Sequence, residues 1–164
     1  MHVYDARYPT AATAKFVPPD APVSAYQKMC KRLGIQRTVV VQPSTYGKDN
    51  RCTLQAVAQI GPDARCIVVV DESVTDAELD RLTRLGARGI RFFMLPGAPL
   101  PWEILETISA RVAPFGWHVQ LQLDGRYLPE HEVVLKRLTS TLVSIMSVNS
   151  LSRFRSITLD FALF

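Results

Sequence analysis

Residues Arg37–Pro43 read RTVVVQP and residues Arg65–Asp71 read RCIVVVD. Each contains an unbroken run of apolar, mostly β-branched side chains with no polar residue at alternate positions. A strand with one wet face alternates, whereas a strand apolar on both faces is packed between two layers. Two further runs, GIRFFML from Gly89 and WHVQLQLD from Trp117, have the same β-branched or aromatic character. These runs predict parallel strands near residues 38–42, 66–70, 89–94 and 117–123.

Helical patterns fill the gaps. Ser24–Leu33 precedes the first strand and stops at Gly34, a residue suited to the position after a helix C-terminus. Asn50–Ile60 follows, with Asn50 as a candidate N-cap and Gly61-Pro62 as a stop. The helix predicted over Thr75–Leu85 opens on Thr75-Asp76-Ala77-Glu78, a capping box in which a hydroxyl and a carboxylate three residues on satisfy each other's backbone donors. Pro101–Val112 and Leu128–Leu138 supply two more. Strands alternating with helices at this spacing are joined by right-handed crossovers into a parallel sheet. Two folds compete: a TIM barrel, which needs about 250 residues, and a doubly wound open sheet, which fits a shorter chain. Neither GxGxxG nor GxxxxGK[ST] follows any strand, so nucleotide binding has no support.

The bulk properties narrow the function. The chain has 164 residues, 48% of them hydrophobic, with a net charge of +4 and three cysteines. No apolar run of about 18 residues occurs, so no membrane span is expected, and no signal peptide is visible. A cytoplasmic location follows by default. The 19 basic residues are scattered, apart from the group Lys28, Lys31, Arg32 and Arg37. No nucleic-acid motif accompanies them, so the expected partner is a small anion rather than nucleic acid or a membrane. The odd cysteine count and the absence of a CxxC pair argue for reduced, buried thiols rather than structural zinc or disulfides.

Four segments in order, HVYDARYP, QPSTYGKDNRC, VVVDESVTDAELDRLTRLGARGIRF and HVQLQLDGRYLPE, resemble the amidohydrolase-related family of TIM-barrel hydrolases. Within it they are most similar to the 2-pyrone-4,6-dicarboxylate lactonase and galactarolactone isomerase branch. The resemblance spans residues 2 to 138 and implies an incomplete TIM-type (β/α) barrel with about five to six parallel strands. Residues 1–138 are expected to form the partial barrel, and 139–164 an atypical tail. Relatives begin with a strand ending in His-x-His, so His2 matches the second histidine only, and the chain is expected to be truncated at both ends. The tail from Thr139 reads as though the frame had shifted. Open sheet edges then suggest possible self-association.

The resemblance implies a hydrolase acting on a small anionic lactone or carboxylate, impaired by truncation. The alternative is a non-catalytic fragment or carboxylate-binding half-barrel. A divalent metal can serve full-length relatives, but His2 alone cannot hold one, and Gln120 and Gln122 are poor ligands, so no cofactor is expected. His2 is the catalytic candidate. Ser44 and Tyr46, in the loop after the first strand, offer hydroxyl donors to a substrate carboxylate; the other reading is a turn whose Ser44 caps the next helix. Arg91 sits inside an apolar strand, with Phe92 predicted to face the helices and Arg91 the barrel interior. A buried guanidinium needs an anion and suits bidentate carboxylate binding, from a substrate or from Asp71 or Asp124. Gln122 shares its strand face with Gln120 and His118 and joins the substrate-binding set. Arg126, after the Asp124-Gly125 turn, completes it, with Tyr4 and Arg7 near the mouth.

Overall fold

The computed structural model describes residues 1–146. The strands are β1 (Thr38–Val41), β2 (Ala64–Val68), β3 (Ala87–Phe93), β4 (His118–Leu123) and β5 (Leu142–Met146). The helices are α1 (Val23–Leu33), α2 (Arg51–Ile60), α3 (Asp76–Arg84), α4 (Leu105–Val112) and α5 (Leu128–Leu135). The strands form one sheet in the order β1-β2-β3-β4-β5, and every neighbouring pair is parallel. Each crossover steps to the next strand in the same direction. A doubly wound sheet reverses its order at a switch point; this sheet has no reversal. The five strands with their helices are an incomplete (β/α) barrel.

The N-terminus extends the sheet by one short segment. The Met1 amino group donates to Val39 O at 2.9 Å, and the Val41 N–H donates to Met1 O at 2.7 Å. That is the spacing of a parallel ladder centred on Val40. The chain then leaves the sheet at Tyr4, whose backbone bonds Ala21 in both directions.

The core lies between the sheet and the helices. Val40, Cys66, Val68, Ile90, Phe92, Val119 and Leu121 point into it and pack with Ala56, Leu79, Leu82, Leu105 and Ile108. The opposite face lines the barrel interior, where the register sets Ile67 beside Gly89, Gly89 beside His118, Arg91 beside Gln120 and Phe93 beside Gln122. At its two sides this face stays open, with Val39 47%, Val143 39% and Ile145 40% exposed. Gly89 is dictated by the layering: a Cβ there would lie 2.8 Å from His118 O and 2.9 Å from the His118 ring. Gly34, at φ 69°, turns the chain out of α1 and donates its N–H to Cys30 O, in the left-handed region that glycine enters without penalty.

Several elements depart from the sequence expectation. Only half of the capping box forms: Thr75 Oγ1 accepts from the Glu78 N–H at 3.2 Å, while the Glu78 carboxylate accepts from Arg81 instead of the Thr75 N–H. Asn50 has no capping bond; the Asp49 carboxylate takes the Arg51 N–H instead. Pro101–Val112 splits into a short 3-10 turn over Trp102–Ile104 and α4, and α5 ends three residues early, at Leu135. The sheet also continues past Leu138, where the sequence reading ends the barrel, because β5 pairs with β4 from Leu142 to Met146. The expectations for residues 147–164 lie outside the described residues.

Candidate functional site

Strand β3 alternates as expected: Ile90 and Phe92 are wholly buried in the core, and Arg91 turns the other way. Arg91 is only 5% exposed. Its Nη1 donates to Gln42 O and its Nη2 to Gln122 Oε1, each at 2.6 Å. The guanidinium carbon sits 5.2 Å from the centroid of the Phe93 ring. All of these partners are neutral. Asp71, one carboxylate considered for it, pairs with Lys48 at 2.5 Å, and the other, Asp124, pairs with Arg126. No carboxylate among the described residues pairs with Arg91. Burial lowers its pKa, yet a guanidinium stays protonated at neutral pH. A desolvated cation with only dipolar partners is a strong attractor for an anion.

The carbonyl that receives Arg91 is rigidly placed. Gln42 follows β1, and its side chain is fully buried. Its Nε2 donates to Gly47 O at 3.2 Å and Asp49 O at 2.9 Å, and its Oε1 accepts from Thr53 Oγ1 at 2.5 Å. One amide thus fixes the loop after β1 and the start of α2. Asn50 closes the same loop on the next strand: its Oδ1 accepts from the Val69 N–H at 2.9 Å, and its Nδ2 donates to Val69 O at 2.7 Å.

The sequence candidates are only partly brought together. Arg91 and Gln122 are in direct contact. Ser44 and Tyr46 share the 3-10 turn Ser44–Tyr46; α2 begins only after Asn50 and has no side-chain cap bond, so Ser44 does not cap the next helix. Ser44 is half-buried there. Tyr46 is 3% exposed, and its hydroxyl accepts from the Asp5 N–H at 2.9 Å and donates to Asp5 O at 3.2 Å. Its phenol is therefore spent on holding the N-terminal loop, and burial pushes its pKa up to about 12. Arg126 is exposed and lies on the Asp124 carboxylate two residues back. It belongs to a local turn, and its side-chain bonds all go to Asp124. The bond from Arg126 in turn lowers the pKa of Asp124.

His2 lies against the C-terminal end of β1, with Nδ1–H donating to Val41 O at 2.8 Å. One side of the residue is open to solvent. Desolvation of the ring nonetheless lowers its pKa; the bond to Val41 opposes this, and the charges of Arg91 and the chain's amino group add to it. Tyr4 sits next to it, ring centroids 6.2 Å apart, and also feels the Arg91 charge. The residues present do not fit a divalent ion: among the described residues no three of His, Cys, Asp or Glu converge.

Three residues carry more of the site than the sequence suggested. Gln42 ends an apolar strand, and its burial is the only signal it could have given. Asn50 imitates an N-cap in sequence while bonding a neighbouring strand. Gln120, noted only for sharing a face with Gln122, is 8% exposed and adjacent to Arg91.

A model of the amidohydrolase family matches residues 1–146. The chain is 31% identical over 145 residues to D-galactarolactone isomerase of Agrobacterium fabrum, covering 87% of this chain and 50% of that one. It is 35% identical over 138 residues to 2-pyrone-4,6-dicarboxylate hydrolase of Comamonas testosteroni, covering 83% and 45%. The crystal structure of an Agrobacterium tumefaciens protein in its apo form superposes with a TM-score of 0.82 at 30% identity, over 86% of this chain and 52% of that one. The chain spans about half the length of the relatives it matches.

Proposed function

The chain belongs to the amidohydrolase family, and we propose that it supplies the substrate-anion side of a hydrolase site for small anionic lactones or carboxylates of the 2-pyrone-4,6-dicarboxylate kind. The observation that carries this is Arg91: a guanidinium 5% exposed, on the interior face of the sheet, held by two neutral oxygens and paired with no carboxylate among the described residues. A planar carboxylate accepts from the guanidinium edge in two parallel bonds. Gln42 and Gln122 hold the fork in place, so little ordering is left for binding to supply. Phe93 gives the flat ring of a pyrone an apolar neighbour. The names of two relatives, one a lactone isomerase and one a dicarboxylate hydrolase, support the same class.

The test is calorimetric titration of the chain with 2-pyrone-4,6-dicarboxylate and with uncharged 2-pyrone. The reading requires binding of the dicarboxylate alone, weakened by salt. Equal binding of both compounds would overturn it. A second reading, a carboxylate-binding half-barrel without turnover, draws on the commitment of Asp71 and Asp124 to Lys48 and Arg126. It is separated from the first by following the pyrone absorbance during incubation. We place the protein in the cytoplasm, in keeping with three buried thiols free of disulfides, Cys30, Cys52 and Cys66.

A further inference from the structure

Two buried polar atoms on the interior face have no hydrogen-bond partner among the described residues: Arg91 Nε and Gln120 Oε1. Their residues are 5% and 8% exposed and stand directly opposite each other in the β3–β4 ladder, on the face that also carries Gln122. Burying such atoms unpaired is costly. One is a donor and the other an acceptor. With the amide oriented as it stands, a carboxylate satisfies Arg91 Nε and repels Gln120 Oε1. A hydroxyl satisfies both, because its oxygen accepts from the Nε–H while its proton is donated to Oε1.

We propose that Gln120, beside Arg91, forms a subsite for a ligand hydroxyl next to the bound carboxylate, so that the site prefers hydroxy-carboxylates to their deoxy counterparts. This rests on the reading of Arg91 as the carboxylate anchor and deepens it: Arg91 supplies the affinity for the anion, and Gln120 discriminates by hydroxylation. A site built to pair a substrate hydroxyl rejects the analogue lacking it, because its own polar atom is then left unpaired.

The experiment is calorimetric titration of the chain with two matched pairs, malate against succinate and citrate against tricarballylate, each pair differing by one hydroxyl. The expected result is roughly two- to twelvefold tighter binding of the hydroxylated member, the span of one net hydrogen bond. Gln120→Leu should erase the preference, so that each hydroxy acid binds no more tightly than its deoxy partner, and circular dichroism checks that it is folded. Gln120→Glu, which keeps an acceptor but adds a charge, should weaken all four acids. If hydroxylated and deoxy acids bind wild-type chain equally, a water fills the pair and the hydroxyl inference is overturned, with the anion reading intact. If none of the four binds, the anchor itself is wrong. A preference that survives in Gln120→Leu would move the subsite to another residue and overturn the assignment.

Discussion

Replacing Arg91 by methionine separates a functional charge from a structural one. The guanidinium makes two charge-assisted bonds, to Gln42 O and Gln122 Oε1. Each such bond contributes about 1.5–3 kcal/mol, so the substitution forfeits about 3–6 kcal/mol. Against this stands the desolvation of a cation 5% exposed with no opposite charge, a cost of several kcal/mol that methionine, similar in length and apolar, removes. Gln122 is only half-buried, so water can serve its freed oxygen; Gln42 O lies on a wholly buried residue, so its lost partner makes the larger share of that loss. The two sides nearly cancel. Arg91→Met should shift the free energy of unfolding by no more than about 2 kcal/mol in either direction. Urea titration followed by Trp117 fluorescence measures this, since Trp117 is 2% exposed and reports directly on the core. The same titration with 2-pyrone-4,6-dicarboxylate present should stabilise the wild type with the logarithm of ligand concentration and leave Arg91→Met unmoved. A loss above about 3 kcal/mol, the range for breaking a buried pair, would show that Arg91 is a structural tie and would remove the ground for reading it as an anion anchor.

Gln42→Leu leaves Gly47 O, Asp49 O and the Thr53 hydroxyl without their buried partner; it should cost about 2–4 kcal/mol and speed hydrogen exchange at residues 47–50, and unchanged exchange there would contradict the account of that loop. Gly89→Ala drives a methyl into His118 O and should cost about 1–3 kcal/mol, seen as a lower urea midpoint; a neutral result would mean that the two strands yield at that layer. Burial lowers the pKa of both His118 and His2 below the ordinary 6.5. The unfolded chain then binds more protons than the folded one, so this contribution to stability is complete above about pH 6.5 and is lost as pH falls through the folded values. Thermal melts from pH 7.5 downwards should show the loss, His118→Gln should flatten it, and NMR midpoints at or above 6.5 would exclude it.

The fold was legible because burial on both faces leaves a compositional mark. CIVVV is buried throughout, whereas TVVV keeps Val39 47% exposed at the open side of the sheet, so composition overstates its cover; the helices between them carry their own start and stop residues. The positions of the strand ends were harder to read. RCIVVVD suggests a strand over 66–70, yet β2 runs from Ala64 to Val68, because the backbone of Val69 is taken by the Asn50 side chain instead of the ladder. Asn50 looks like an N-cap for the same reason: its local sequence position suits capping, and only the tertiary fold offers it a better partner. On the interior face, the direction of Arg91 and Gln122 was legible because a charged or amide side chain inside an apolar alternation has one face to go to. The partners of Tyr46 and Arg126, namely Asp5 and Asp124, were not legible from periodicity, because their geometry depends on loop conformation. The Asp124–Arg126 pair is two residues apart and could have been anticipated; the Tyr46–Asp5 pair, 41 residues apart, could not.

Binding and proton transfer draw on different parts of the interior face. Binding needs a fixed cation, and β3 provides it with support from the residues after β1 and on β4. Hydrolysis of a lactone also needs a base near the attacking water, and a good base has a pKa close to the working pH. The carboxylates at the strand ends do not meet that requirement: Asp71 is held at about 2 by bonds from Lys48 and Ser73, and the bond from Arg126 holds Asp124 below its ordinary value. His2 is an imidazole close enough to feel the Arg91 charge. With Nδ1–H committed to Val41 O, its Nε2 carries the free lone pair at neutral pH. If His2 serves as that base, turnover should fall as it is protonated below pH 6.5. Anion binding through Arg91 would have no such dependence, so a pH titration of binding beside turnover separates the two proposals, and parallel pH profiles would refute the assignment of the base to His2.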